Sequence, residues 1–265
     1  MIKAAAVAAL FALAACSDDA AQTAASPRPG GDAQATAPAP PSPPPAAARL
    51  VDDESELLDF TYGWPAEAAA IPKLRARFEA DLGERRTESL AFAREDKAGR
   101  GEDIPFNGHY FSKTWQTYGD GGRLLSLAAE IGTFTGGAHG NALWETILWD
   151  RSAGKEIEVA ALFTDPARAF AAMTPAYCRS LDAQRAEKRG ETTPLTGPEW
   201  MVQCRPLAEA VIAPVDGNRD GRFELFRVLI APYEAGPYAE GSYEVDIPVT
   251  DAVRALLHPG FGGSF

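Results

Sequence analysis

Histidine, cysteine and methionine each occur only three times in these 265 residues, and 25 Lys and Arg face 37 Asp and Glu. Each shortage excludes something. The imidazoles, His109, His139 and His258, do not fall at metal-ligand spacing, and no His-Glu-x-x-His occurs. A Gly-x-Ser-x-Gly nucleophile elbow is missing too. Clustered Lys and Arg, which phosphate binding needs, are lacking, so nucleic acid is not an expected partner. No apolar run approaches the roughly 20 residues that a membrane-spanning helix takes. Neither a cofactor nor a metal is expected.

What is present begins with Lys3, an apolar run over Ala4–Leu13, and then Leu13-Ala14-Ala15-Cys16. A basic start, an apolar middle and small residues before a cleavage point form a secretory signal. Cys directly after Leu-Ala-Ala resembles the bacterial lipobox, whose thiol is lipidated and becomes the new N-terminus. Residues 1–15 therefore read as a lipoprotein signal peptide, with Cys16 as the site of diacylglycerol and palmitate attachment. Cleavage removes Lys3, leaving 24 basic and 37 acidic residues, a net charge of −13. Such a chain is a poor electrostatic partner for anionic headgroups, so the lipid on Cys16 must hold it to the membrane. Cationic partners would be steered towards it.

Cys178 and Cys204 are then left as a pair in a compartment that permits disulfides. A bridge is expected, and two buried free thiols are the alternative. Residues 16–49 form a tether, with Pro at 27, 29, 38, 40, 41, 43, 44 and 45 among Ala, Ser, Thr, Gln and Gly. The segment Ser17–Ala48 holds no aromatic or large aliphatic residue to offset its ordering entropy. Drawn out at about 3.1 Å per residue, it would reach on the order of 100 Å.

Leu50 to about Pro259 has the length for one sizeable core or two intimately packed halves, divided here at residues 50–150 and 151–265. Ser55–Tyr62 reads as an opening strand. Pro72 suits a first helical position, and Ile71, Leu74, Phe78 and Leu82 share one face of a helix continuing towards Lys97. Strands are expected over Tyr110–Tyr118, Leu124–Phe134 and Leu143–Trp149, broken by Gly-rich turns at 119–122 and 136–141. A helix over Pro166–Lys188 carries Phe170, Met173, Tyr177 and Leu181. Leu207–Val215 and Phe223–Ile230 form a hairpin, Tyr243–Val249 a last strand and Asp251–Leu257 a last helix. Strands in runs with helices segregated between them predict an α+β fold with antiparallel sheets.

Few residues are candidates for chemistry. Gly136-Gly137-Ala138-His139-Gly140 is a turn needing positive-φ or Cβ-free positions, and a Cβ at Gly137 is expected to cost about 1 kcal/mol if its φ is positive. His139 is a candidate general base, or else a group tying the loop to nearby backbone. Asp216, Asn218, Asp220 and Gly221 imitate the first half of an EF-hand loop, but Arg227 stands where the bidentate Glu is needed, so a hairpin turn is favoured. Tyr233 and Tyr238, each after a Pro, can stack on sugars, anchor an interface or pack on the sheet. The tryptophans, Trp64, Trp115, Trp144, Trp149 and Trp200, have the same ambiguity, and those within strand runs are expected in the core.

Two passages carry a resemblance. Phe134-Thr135-Gly136-Gly137-Ala138-His139-Gly140-Asn141 resembles a turn of the extracytoplasmic module shared by the anti-sigma factor RsiV and the peptidoglycan deacetylase PdaC. Ala231-Pro232-Tyr233-Glu234-Ala235-Gly236-Pro237-Tyr238-Ala239-Glu240-Gly241 is similar to a second segment of that module. Between them, Gly154-Lys155-Glu156-Ile157 and Leu162-Phe163 also match. The resemblance implies an α+β fold of two joined parts and a place in cell-wall biology. The chain lacks the residues a polysaccharide deacetylase domain would need. The expected function is thus a non-catalytic envelope lipoprotein, lying on the periplasmic side, that binds a cell-wall component such as peptidoglycan, or an envelope protein. His139, Tyr233 and Tyr238 are its candidate binding residues. The alternatives are an inhibitor or sensor of a cationic lysozyme, and a wall hydrolase or esterase using His139.

Overall fold

The structure is a computed structural model that describes residues 46–101 and 103–265. The signal segment, Cys16 and the tether up to residue 45 lie outside the described residues. Two sheets organise the rest. The larger has six strands in sequence order: β1 (Arg49–Asp53), β2 (Leu58–Trp64), β3 (His109–Gly121), β4 (Leu124–Phe134), β5 (Asn141–Asp150) and β6 (Lys155–Glu156). The smaller contains β7 (Val211–Val215), β8 (Leu225–Ile230) and β9 (Tyr243–Pro248), antiparallel throughout. The α+β class follows, with separate helices and mostly antiparallel strands.

Two details differ from the sequence expectation. Arg49 already pairs with Trp64, and Ala46 packs on the N-terminal core, so the tether ends before residue 49. The strand Arg-Leu-Val-Asp-Asp is short, charged and at an edge, which hides its alternation. The second is that β2 and β3 run parallel, from Leu58 opposite His109 to Gly63 opposite Thr114. A parallel pair needs a crossover. It is supplied by the short α1 (Ala66–Ala69) and by α2 (Pro72–Gly99), which has Pro at its first turn and buries Leu74, Phe78 and Leu82 on the expected face.

Strand β3 explains why the sheet has two unlike faces. Its burial alternates, with His109, Phe111, Lys113 and Trp115 turned under α2, and Tyr110, Ser112, Thr114 and Gln116 turned away. Phe111 and Trp115 join Phe60, Tyr62, Trp64, Phe78 and Trp149 in the N-terminal core. Lys113 sits buried within it. Its ammonium lies 2.8 Å from Asp81 and 2.8 Å from Glu145, while Tyr62 donates to Asp81 at 2.6 Å. Burial opposes ionisation of Asp81, yet hydrogen bonds from Lys113 and Tyr62 outweigh it and hold the carboxyl below its usual range. The Tyr62 hydroxyl is pushed well above its ordinary value by burial and then by its bond to Asp81.

The second core lies against the opposite face. It gathers β7–β9 and α3 (Pro166–Arg189), and it takes in Leu124 and Leu148 from the larger sheet. Asp165 caps α3 by accepting from the Arg168 N–H, and Gly190, at φ +65°, ends it. The expected apolar stripe Met173, Tyr177 and Leu181 is buried. Cys178 and Cys204 are bridged, with Cα atoms 5.5 Å apart. The bridge ties α3 to a loop that includes α4 (Glu199–Val202).

The halves meet over glycines. A Cβ on Gly119 would come within 2.4 Å of the Phe223 ring, and one on Gly121 within 2.7 Å, so Phe223 packs directly on the β3 backbone. Asp216 donates its N–H to Tyr118 O at 2.9 Å, and Ser264 Oγ bonds Gly121 O at 3.0 Å. Arg123 spans the junction, pairing with Asp150 at 2.6 Å and donating to Gly260 O at 2.6 Å. α5 (Asp251–Arg254) is capped by Thr250 and closes the C-terminal core with Val253.

Candidate functional site

Two loops far apart in sequence meet at the surface. The first is the turn between β4 and β5. Gly136 takes φ +86°, and its Cα faces the Arg100 guanidinium, 2.4 Å from where a Cβ would stand. At Gly140 a Cβ would lie 2.9 Å from both Thr133 O and the Tyr110 hydroxyl. The glycine requirement thus falls on Gly136 and Gly140. Gly137 has neither a positive φ nor a close neighbour, which corrects the expectation for it.

The second loop, 231–241, follows β8. Tyr233 adopts φ +72°, a left-handed backbone that a bulky side chain rarely takes, and the residue is 56% exposed. Gly236 leaves no room for a side chain, since a Cβ would sit 1.9 Å from Glu240 Oε2. His139 joins the loops. Its ring stacks on Tyr238 with centroids 3.7 Å apart and planes 19° from parallel, and Tyr233 packs against both. Nδ1 lies 2.8 Å from Gly140 O, and a carbonyl can only accept, so Nδ1 carries the proton. In the neutral ring Nε2 then accepts from the Tyr233 hydroxyl at 3.2 Å. Among the described residues neither ring nitrogen bonds a carboxylate.

Two arginines of α3 hold this platform from below. Arg185 is fully buried, and it donates from Nε to Ala235 O at 2.9 Å, from Nη1 to Val202 O at 3.2 Å and from Nη2 to Gln203 O at 3.0 Å. Arg189 pairs with Glu240 at 2.7 Å and also donates to Met201 O and Ala235 O. Burial alone would raise the Glu240 carboxyl, but bonds from Arg189 and Tyr243 outweigh it and hold it below its ordinary value. Tyr243 is pushed up by burial and by the same bond to Glu240. The platform backbone is therefore fixed by charge-assisted hydrogen bonds to main-chain oxygens.

Beside the platform lies a polar groove of about 480 Å³. Ser112, Thr114 and Gln116 of β3 line its floor, Glu130 and Trp144 extend it across β4 and β5, and Arg227 and Glu244 face them from β8 and β9. Ser242, four residues beyond Tyr238, donates to Glu130 at 3.1 Å and fixes the loop to the groove's rim.

Sequence reasoning named His139, Tyr233 and Tyr238 separately, and the structure brings them into one cluster. It missed Arg185 and Arg189, to which it gave no role, and it missed the β3 floor. The floor's signal was the alternation Tyr110, Ser112, Thr114, Gln116, obscured by the buried Lys113 between them. Trp64, Trp115 and Trp149 are core, Trp144 walls the groove, and Trp200 is 48% exposed on the loop clasped by the disulfide. Asp216 and Glu224 accept backbone N–H groups within the 216–221 turn, which thereby closes on itself between β7 and β8.

Fold and site together define an α+β module of two joined halves with a loop-built surface platform. Its N-terminal part is similar to PdaC: residues 51–142 match the family model described as Deacetylase PdaC. That match includes the His139 turn, while loop 231–241 lies beyond it. The crystal structure of a DUF3298 family protein from Pseudomonas aeruginosa PAO1 has the same fold, at 18% identity and TM-score 0.52 over 81% of this chain and 95% of that one. A DUF3298 family member from Bacteroides fragilis NCTC 9343 aligns over 82% of this chain and 95% of that one, at 16% identity and TM-score 0.47. No curated protein sequence matches. The match to the PdaC model and the Cys178–Cys204 bridge fit an envelope-associated, extracytoplasmic domain.

Proposed function

We propose that this protein is a non-catalytic, lipid-anchored binding module of the bacterial envelope, and that the His139–Tyr233–Tyr238 platform receives a cell-wall component. The observation that carries the reading is the convergence of two loops, 94 residues apart at the His139–Tyr233 contact, on one exposed aromatic stack. Strain at Tyr233, a glycine forced at Gly236 and two arginines beneath are a heavy investment in placing side chains that cover no core. The axial C–H groups of a pyranose pack on such rings, and the tyrosine hydroxyls offer hydrogen bonds at the edge. The His139 ring nitrogens, engaged with Gly140 O and Tyr233, favour binding over hydrolysis, which would call for a carboxylate-oriented imidazole.

Co-sedimentation of the 46–265 domain with purified peptidoglycan sacculi tests this. Wild type is expected to pellet, and Tyr238→Ala and Tyr233→Ala are expected to remain in the supernatant with unchanged melting temperature. Equal pelleting of all three would overturn the reading. A second reading, capture of a cationic protein such as lysozyme, draws on the excess of 37 acidic over 25 basic residues. It predicts lysozyme binding that weakens steeply with salt. The anchor has its own test. Cys16→Ser is expected to move the protein from the membrane to the soluble periplasmic fraction, and a mutant that stays membrane-bound would refute lipidation.

A further inference from the structure

The groove beside the platform contains features that a platform alone does not need. Ser112, Thr114 and Gln116 stand two residues apart on one face of β3, and among the described residues their side chains have no hydrogen-bond partner. On a strand this spacing repeats at about 6.8 Å, a ladder of donors and acceptors along the groove. The indole N–H of Trp144 is buried without an acceptor. A buried donor left unpaired is costly and uncommon in native proteins. Arg227, the groove's cation, is already neutralised by Asp246 at 2.6 Å and Glu244 at 2.9 Å, and Glu130 is bonded to Ser242. The groove therefore offers no free positive charge to an anionic ligand. Hydroxyl and amide groups on the floor, an indole on the wall and the Glu130 carboxylate, which among the described residues pairs with no cation, suit a ligand that brings hydroxyl and acetamido donors and no negative charge.

Platform and groove are also within one ligand's reach. Tyr238 and Ser242 are four residues apart, so their Cα atoms lie within about 14 Å. Ser242 is bonded to Glu130 on the groove's rim. Resting on the binding function proposed above, we infer that the groove lined by Ser112, Thr114, Gln116 and Trp144 is an extended subsite for a neutral β-linked N-acetylhexosamine glycan, whose end stacks on the His139–Tyr238 platform. The platform grips one sugar by its face, and the groove reads the length of the strand. At about 480 Å³ the groove falls within the size range of small-ligand sites.

The test is calorimetric titration of the 46–265 domain with β-1,4-linked N-acetylglucosamine dimer, tetramer and hexamer. Wild-type affinity is expected to rise from dimer to hexamer. The double variant Thr114→Val, Gln116→Ala, altered only on the groove floor, is expected to keep dimer affinity and lose about tenfold on the hexamer, as two lost hydrogen bonds would give. Tyr238→Ala is expected to weaken all three ligands. Affinity that is independent of length, lost in Tyr238→Ala and untouched by the floor variant, would overturn the groove and leave the platform standing. Wild type that binds sacculi but none of the three oligosaccharides would overturn the glycan assignment, while failure to bind sacculi would strike the binding function itself.

Discussion

Each half of the molecule buries a cation, and the two are used differently. Lys113 lies in the N-terminal core between carboxylates, Asp81 and Glu145, beneath α2. Arg185 lies in the C-terminal half with one half-exposed carboxylate, Asp182 at 3.2 Å, and three main-chain oxygens, those of Ala235, Val202 and Gln203. An ion pair between side chains fills a core and is exchangeable in principle for well-packed apolar residues. A guanidinium bonded to three carbonyls from two loops cannot be exchanged so, because those carbonyls would be left without donors. The N-terminal cation belongs to the scaffold and the C-terminal one to the platform.

The comparison fails if the two cations prove equivalent, so the largest expected effect is at Arg185. Arg185→Leu is expected to cost about 3–5 kcal/mol in urea unfolding and to abolish sacculus binding. Next, the Cys178→Ser, Cys204→Ser pair should lose about 3.5 kcal/mol in the chain-entropy estimate, read from the same denaturation curves. Lys113→Met should cost less, about 2 kcal/mol, because Asp81 keeps Arg85 and Tyr62, and binding should persist.

The pH dependence sharpens the comparison, because both halves contain shifted groups of both kinds. Asp150 is held far below the carboxylate range, first by Arg123, and Asp81 and Glu240 are lowered as well. A depressed carboxylate contributes stability that is present above its unfolded pKa, about 4, and lost as pH falls through the folded value. Tyr62 and Tyr243 are raised, so their contribution is present below about 10 and lost as pH climbs beyond it. Chemical denaturation across pH is therefore expected to show a plateau that falls on both sides. A Lys113→Met protein should keep the acid slope due to Glu240 and Asp150. The smallest effect is in the turn: Gly136→Ala should cost about 1 kcal/mol for its positive φ, and Gly137→Ala should stay within about 0.5 kcal/mol.

Those effects also mark how far the sequence could be read. The stripe Leu74, Phe78, Leu82 and the turn compositions placed α2 and the β3–β5 meander, because periodicity and glycine act locally. The parallel β2–β3 pairing was not legible, since a crossover does not change the pattern of either strand. His139, Tyr233 and Tyr238 stood out individually through their glycine and proline neighbours. The loop that presents the tyrosines is held by Arg185 and Arg189, whose bonds to Ala235 O, Val202 O, Gln203 O and Met201 O go to main-chain atoms and leave no trace in side-chain pattern. Gly137 looked like Gly136, because only the fold decides which glycine takes the left-handed conformation.

The central claim is that the C-terminal arginines build a binding platform while the N-terminal ionic core only supports it. Sacculus co-sedimentation of Tyr238→Ala beside Lys113→Met tests it most directly. The account predicts that Tyr238→Ala melts like wild type and no longer pellets, while Lys113→Met melts lower and pellets fully. Undiminished pelleting of Tyr238→Ala, or loss of binding in a folded Lys113→Met protein, would contradict it.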